Sequence, residues 1–182
     1  MKHIEYEERV MISVNDYLKV IDDVKNEGLP INKLMIENVY LDNVNSFIYN
    51  NHMMLRIRNI NQKEQELTLK VKTKDGSNLE INETINHHPT IDKYLEGNLS
   101  DYIEIAKLET QRIEVQYKDY LLVIDKNKYH GVTDYDLEIE SDSQEKSLEI
   151  IKQYCIKYNL SFEKDYKSKS RRAIKTAREL KK

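Results

Sequence analysis

The chain has 182 residues, which is enough for one domain with a shielded core but cramped for two. Its net charge is only -3, which excludes a global basic field for nucleic acid or an acidic membrane, although 34% of the residues are charged. No stretch approaches the roughly 20 apolar residues of a membrane helix, and the N-terminus lacks an apolar signal core. Cys155 is the only cysteine, so no intramolecular disulfide can form. We therefore expect a cytoplasmic monomer or homodimer with no membrane or nucleic-acid partner.

The first half of the chain predicts strands around one clear helix. Residues 3–12 alternate between polar and apolar side chains and predict a strand. Ser13 offers an N-cap, with Asp16 three residues later, for a helix that Gly28 ends. Further strand patterns cover residues 33–41, 53–58, 66–72 and 78–85. Asp75-Gly76 predicts a tight hairpin turn between the last two.

The second half repeats this organisation. Thr90 is placed to cap a short helical stretch that carries Ile91 and Leu95. Strands are predicted at residues 108–116, 120–125 and 129–140, with turns at Lys118-Asp119 and Lys126-Asn127, and helices at 143–158 and 170–180. Short turns favour antiparallel pairing, and no low-complexity linker divides the chain. The pattern predicts an α+β fold, with residues 1–182 forming a single barrel-like domain.

Charged side chains recur at every second position of these strands and therefore share one face of each. The repeats comprise Glu5, Glu7 and Arg9; Arg56 and Arg58; Lys70 and Lys72; Arg112 and Glu114; and Asp134, Asp136, Glu138 and Glu140. A sheet with one face in water would give the same alternation. Here, however, like charges recur within strands: carboxylates at Glu5 and Glu7 and at Asp136, Glu138 and Glu140, and cations at Arg56 and Arg58 and at Lys70 and Lys72. Two like charges about 4 Å apart repel by about 4 kcal/mol at an effective dielectric near 20, so opposite charges should lie between them.

The residue types on this face suit phosphate chemistry. Arginine is the natural donor fork for phosphate oxygens, and glutamate pairs are natural ligands for a hard divalent cation. With only four glycines, the chain has no GxxxxGK[ST] or GxGxxG loop, so side chains would have to bind any phosphate.

An ordered set of motifs resembles the CYTH, or triphosphate tunnel metalloenzyme, superfamily. Glu5-x-Glu7-x-Arg9 resembles its ExExK signature, with arginine in place of the usual lysine. Further matches, in the order of the family, are Tyr40-Leu41-Asp42, Leu55-Arg56-Ile57-Arg58, Leu67-Thr68-Leu69-Lys70, Arg112, Asp125, Asp134-Tyr135-Asp136-Leu137-Glu138-Ile139-Glu140 and Lys169-Ser170-Arg171-Arg172-Ala173. The resemblance covers nearly the whole chain. It implies an eight-stranded antiparallel β-barrel with a charged lumen and helices packed outside.

The same resemblance implies a role for each charged residue. Mg²⁺ or Mn²⁺ would be held by Glu5, Glu7, Glu138 and Glu140. Phosphate oxygens of a triphosphate would be bound by Arg9, Arg56, Arg58, Lys70, Lys72, Arg112, Lys169 and Arg172. Glu80 or Asp125 would order the attacking water, unless each is merely an ion-pair partner.

These roles predict metal-dependent hydrolysis of inorganic triphosphate or of an organic triphosphate, such as a nucleoside or thiamine triphosphate. Two alternatives remain open: a class IV-type adenylyl cyclase, and a non-catalytic protein that binds polyphosphate or phosphorylated ligands. Arg9 departs from the family lysine, and since arginine and lysine are not interchangeable, it would slow chemistry more than binding. We interpret His87-His88 as a surface turn, because no third ligand lies at zinc-like spacing.

Overall fold

The computed structural model describes residues 2–73, 78–162 and 167–180, except for the side chains of residues 2–5, 64 and 78. The predicted Asp75-Gly76 turn lies outside these residues. The chain forms two compact units. Unit 1 comprises Met1–Ile4, Ile36–Glu109 and Ser168–Lys182, and unit 2 comprises Glu5–Met35 and Thr110–Lys167. The expectation of a single domain over residues 1–182 stays a prediction.

The described residues form eight antiparallel strands. They are β1 (Lys2–Met11), β2 (Ile31–Asp42), β3 (Met53–Ile60), β4 (Glu64–Lys72), β5 (Asn78–Glu83), β6 (Ile103–Gln116), β7 (Leu121–Tyr129) and β8 (Val132–Ser141). Hydrogen bonding follows the closed order β1-β5-β4-β3-β2-β6-β7-β8, and β8 pairs with β1. The predicted α+β fold with an eight-stranded antiparallel barrel is confirmed.

The described part of the chain also contains four helices. They are α1 (Val14–Asn26), α2 (Phe47–Asn50), α3 (Gln144–Tyr158) and α4 (Lys169–Leu180). Ser13 caps α1 as predicted: its hydroxyl accepts from the Asp16 amide, and the Asp16 carboxylate accepts in return from the Ser13 amide. The stretch after Thr90 forms only a short 3₁₀ turn, and the Thr90 side chain makes no cap. Helix α2 was not predicted; its amides at Ile48 and Tyr49 donate to the Asp42 carboxylate.

The β7–β8 hairpin differs from its prediction. The turn expected at Lys126-Asn127 is absent, because β7 continues to Tyr129, which pairs with Val132. The chain reverses instead at His130-Gly131, where φ is 46° and 82°. Two consecutive left-handed residues make the tight turn whose twist matches that of antiparallel strands. This register places Asp125 opposite Asp136, and Asn127 opposite Asp134.

In unit 2, the apolar strand faces pack beneath helices. Leu137 and Ile139 of β8 and Ile124 of β7 are fully buried, in one cluster with Val20 of α1 and Ile151 of α3. Strand alternation then directs Asp136 and Glu138 to the other face of β8, yet these carboxylates are 0% and 1% exposed. Both faces of β8 are therefore shielded from solvent at these residues. Its charged side chains do not form a solvent-exposed polar face.

Unit 1 repeats this arrangement with other elements. Leu55, Leu67, Leu69 and Ile81 of β3 to β5 form a buried apolar cluster. Arg56, from the opposite face of β3, is nevertheless only 4% exposed. A charged side chain so well shielded needs counter-charges or a ligand nearby.

A matched pair of isoleucines tests the core of unit 2. Ile124→Ala should lower the free energy of unfolding by about 2–5 kcal/mol, because the side chain is fully buried and its loss leaves a cavity. Ile156→Ala should change it by less than about 0.5 kcal/mol, because Ile156 is 83% exposed. Urea unfolding followed by circular dichroism measures both values. Equal losses in the two variants would contradict this description of the core.

Candidate functional site

Unit 2 gathers carboxylates from β1, β7 and β8. The register of β1 and β8 pairs Glu7 with Glu140, and Arg9 with Glu138. One oxygen from each of Glu7, Glu138 and Glu140 lies within 4.8 Å of the others, and Asp125, Asp136 and Glu138 form a second such trio. Glu138 belongs to both. We call Glu7, Asp125, Asp136, Glu138 and Glu140 the acidic group.

Two arginines lie among these carboxylates. Arg112 donates from Nε and Nη2 to the two oxygens of Asp125, at 3.0 and 2.8 Å, and from Nη2 to Glu138 Oε2 at 3.2 Å. Burial alone would lower the pKa of Arg112, but Asp125, Glu138 and Glu140 outweigh it and hold that pKa well above its ordinary value. Arg9 contacts Glu7, and its Nη1 lies 3.5 Å from Glu138 Oε1. The acidic group is therefore interleaved with permanent cations.

Asn127 orients part of the acidic group. It is fully buried in β7 and donates from Nδ2 to Asp134 and Asp136, at 3.1 Å each. Its Oδ1 accepts a hydrogen bond from the Thr110 hydroxyl at 2.8 Å. This contact fixes the orientation of the amide, so that its NH₂ group faces the two aspartates. Tyr129 donates to Asp134 from the other direction. These donors orient the carboxylates of both aspartates.

Unit 1 holds a separate set of cations on β3, β4 and α4. Lys70 Nζ lies 3.0 Å and Arg56 Nη2 3.9 Å from Glu80 Oε2, while Asn82 donates to Glu80 Oε1 at 3.1 Å. Arg58 pairs with Glu66 at 3.7 Å. We call Arg56, Arg58, Lys70 and Lys169 the basic group; all four act electrostatically on the buried Tyr40. Burial nevertheless raises the pKa of Tyr40, so its phenol stays protonated.

Arg56 has spare hydrogen-bonding capacity in this buried position. Its Nε and Nη2 are buried, and neither has a hydrogen-bond acceptor among the described residues. Buried donors without acceptors are costly, and a guanidinium edge fits the oxygens of a phosphate. The basic group is therefore suited to receive an anion.

The predicted site residues are distributed over both units. The structure brings together Glu7, Arg9, Arg112, Asp125, Glu138 and Glu140 in unit 2, and Arg56, Arg58, Lys70, Glu80 and Lys169 in unit 1. Lys72 is exposed at the end of β4, and Arg172 is half-buried on α4. The side chain of Glu5 lies outside the described residues. The predicted roles themselves stay predictions.

Sequence reasoning assigned no role to Asp136, Asn127 or Tyr40. The position of Asp136 on the face of Glu138 and Glu140 follows from alternation, as predicted, but no ligand role was assigned to it. Asn127 lay in a predicted turn, and the ring of Tyr40 indicated core packing. Neither residue was therefore expected at the site. His87-His88 joins neither carboxylate trio, and within the described residues no helix is long and apolar enough to cross a bilayer.

The lowered pKa of Glu80 predicts how the free energy of unfolding depends on pH. Burial opposes its ionisation, but Lys70, Arg56 and Arg58 outweigh burial and lower the pKa from 4.5 to about 2. Because the folded-state pKa is depressed, ionised Glu80 stabilises the fold above pH 4.5, by roughly 3 kcal/mol, and this contribution is lost as the pH falls towards 2. Wild type should therefore lose about 2 kcal/mol more than Glu80→Gln between pH 7 and pH 3. Urea unfolding at both pH values measures the difference.

Glu149→Gln is the control for this experiment, since Glu149 is exposed on α3 and should leave the pH dependence as in wild type. An equal loss of stability in wild type and Glu80→Gln would show that Lys70 and Arg56 do not lower the pKa of Glu80.

Several proteins of known structure share this fold. No curated protein is similar enough to count as a match. A candidate adenylate cyclase from Bacillus halodurans superposes with a TM-score of 0.79 at 22% identity, over 94% of this chain and 97% of that one. A candidate adenylyl cyclase from Hippeastrum, described as having a dominant triphosphatase activity, gives 0.72 at 16% identity over 94% of both chains. A protein of Pyrococcus horikoshii OT3 gives 0.61 at 20% identity, over 86% of this chain and 91% of that one.

At these identities the structural similarities concern the fold alone. The sequence itself matches the CYTH domain over residues 3–174, in agreement with the resemblance of its motifs. The chain belongs to the CYTH family.

Proposed function

We propose that this protein is a divalent-metal-dependent phosphohydrolase that cleaves a triphosphate. The observation that carries the proposal is the burial of its ionic side chains: Asp125, Asp136, Glu138 and Arg56 are each at most 4% exposed on strands whose other faces are apolar. Such burial is costly for a purely structural ion-pair network, but within each unit it suits a site that takes a charged ligand out of water. A cytoplasmic location and a monomeric or homodimeric state belong to the same proposal.

The acidic group fits a hard divalent cation. Mg²⁺ and Mn²⁺ prefer oxygen ligands, and each trio offers three carboxylate oxygens within 4.8 Å of one another. Glu7, Glu138 and Glu140 would hold the ion, together with Glu5 if its side chain joins them. A bound ion would act as a Lewis acid on a phosphoryl oxygen. The half-buried positions of Glu7 and Glu140 leave this trio accessible, whereas the second trio is fully buried.

The cations would bind and orient the phosphates. Arg56 offers two buried N–H donors that have no acceptor among the described residues, and Arg58, Lys70 and Lys169 add charge around Tyr40. Tyr40 keeps its proton and can donate it in a hydrogen bond to an anionic oxygen. Arg9 and Arg112 supply positive charge beside the carboxylates. Preorganised cations stabilise the charge on a transferring phosphoryl group without reorganising during the reaction.

Glu80 and Asp125 fit supporting roles better than that of a general base. Both oxygens of Asp125 accept hydrogen bonds from Arg112, so its carboxylate is committed to orienting that guanidinium. Glu80 has a pKa of about 2, far below the value near the working pH that an efficient base needs. Phosphoryl transfer depends more on position and charge than on a strong base. We infer that Asp125 positions Arg112 and that Glu80 positions Lys70.

The proposal covers any substrate that carries a triphosphate group. Inorganic triphosphate, nucleoside triphosphates and thiamine triphosphate share the group that the cations would bind. Relatives of the fold include candidate cyclases, one of them described as dominantly a triphosphatase, so product analysis must separate the two reactions.

The test is a phosphate-release screen with tripolyphosphate, nucleoside triphosphates and thiamine triphosphate, each with Mg²⁺ or Mn²⁺. Wild type should release orthophosphate only when metal is present. Glu138→Gln should lower kcat by at least about 100-fold, because it removes a charge shared by both oxygen trios. Glu149→Gln removes an exposed carboxylate and should leave kcat unchanged.

Two results would contradict hydrolysis. Release of pyrophosphate with a cyclic nucleotide would identify a cyclase. Metal-assisted binding of tripolyphosphate in calorimetry, without turnover of any of these compounds, would identify a binding protein. Full activity of Glu138→Gln would show that the acidic group takes no part in the reaction.

A further inference from the structure

Thr68, on β4 of unit 1, is a buried threonine whose hydroxyl is not used by the fold. The residue is 0% exposed, and its Oγ1 has no hydrogen-bond partner among the described residues. A buried polar group without a partner lowers stability, so each such group in a native protein calls for an explanation. Valine has nearly the same shape and would fill this position without a hydroxyl.

The register of the sheet places Thr68 beside Arg56. The two residues lie directly opposite each other on β4 and β3, so their side chains share one face and their Cβ atoms are neighbours. Arg56 Nε and Nη2 are buried and likewise have no hydrogen-bond acceptor among the described residues. Buried groups that can all donate a hydrogen bond therefore lie side by side on this face.

Glu80 does not supply the missing acceptor. Its Oε2 lies 3.0 Å from Lys70 Nζ but 3.9 Å from Arg56 Nη2, which is beyond hydrogen-bond distance. Its Oε1 accepts from Asn82 at 3.1 Å. Tyr40 lies opposite Arg56 on the other side of β3 and adds a protonated phenol to the same face. The donors of Arg56 and Thr68 therefore stay available to a ligand that carries acceptors.

Ionised phosphoryl oxygens are acceptors of this kind, and one phosphoryl group can accept from several donors at once. Thr68 is a short side chain between two long cations, with Arg56 opposite it and Lys70 two residues further along the same face of β4. An anion that binds both cations moves their side chains onto itself and comes within reach of the hydroxyl between them.

We propose that Thr68 is a substrate-binding residue, which with Arg56 forms an anion site in unit 1 that holds a phosphoryl group through hydrogen-bond donors, without metal. This inference rests on the proposed function, in which Arg56 and Lys70 bind phosphate and Thr68 has no role. The unliganded protein carries an unsatisfied hydroxyl at this position, and the bound phosphoryl group satisfies it.

The first measurement is the binding of tripolyphosphate to the full chain by isothermal titration calorimetry in EDTA, where metal-dependent turnover is excluded. Thr68→Val should bind about 10-fold more weakly than wild type, because a hydrogen bond to an ionised group is lost. Thr68→Ser keeps the hydroxyl and should bind within about 3-fold of wild type. Thr133→Val removes an exposed hydroxyl from β8 and should bind as wild type does.

The second measurement is urea unfolding without ligand, which distinguishes a binding hydroxyl from a structural one. Thr68→Val should keep or raise the unfolding midpoint, because it removes a buried group that has no partner among the described residues. Thr110→Val is the matched comparison. The buried Thr110 hydroxyl donates to Asn127 at 2.8 Å, so its loss should lower the midpoint by roughly 0.5–1 M.

Three results would overturn the inference: tripolyphosphate binding by Thr68→Val as tight as in wild type, a loss of affinity in Thr68→Ser as large as in Thr68→Val, or a fall in the midpoint of Thr68→Val equal to that of Thr110→Val. Absence of binding to wild type in EDTA would also overturn it, but would leave metal-dependent hydrolysis untouched. Conversely, binding that depends on Thr68 in a chain that releases no phosphate with either metal would contradict the proposed hydrolysis alone.

Discussion

An ionised side chain is stable away from water only where opposite charge or fixed donors replace its hydration, and this constraint governs both units. Asp125 and Glu138 are buried, and both are bound by Arg112. In unit 1, Glu80 is bound by Lys70 and lies near Arg56. The apolar faces of the same strands are covered by helices or buried clusters, so the charges cannot turn outward without exposing the core.

The same constraint explains why neutral polar residues accompany the charges. Asn127 links Thr110 to two aspartates through a buried amide, and it does so without adding net charge. A hydrogen bond donated by a neutral group stabilises a carboxylate without adding another cation beside it.

Much of this arrangement could be predicted from the sequence because strand alternation is a local rule. Glu7, Arg56 and Glu138 each lie on the charged face of their strand, as their spacing alone predicts. The Ser13 cap follows from a four-residue pattern. The turn between β7 and β8 could not be predicted with the same certainty, because Lys126-Asn127 and His130-Gly131 both have turn-forming composition. Only pairing across the strands decides between them. The pairing of Arg112 with Asp125 is likewise non-local and depends on register.

The two-residue reversal at His130-Gly131 has a consequence for how this chain can change over evolutionary time. Side chains on β8 alternate with period two, so an insertion or deletion of one residue at this turn would shift the pairing with β7 by one position. Asp136, Glu138 and Glu140 would then turn towards the apolar cluster under α1 and α3, and Leu137 and Ile139 would take their places. A change in loop length at this corner would therefore disrupt the acidic group and the core together, so lineages that keep either should keep this turn at two residues.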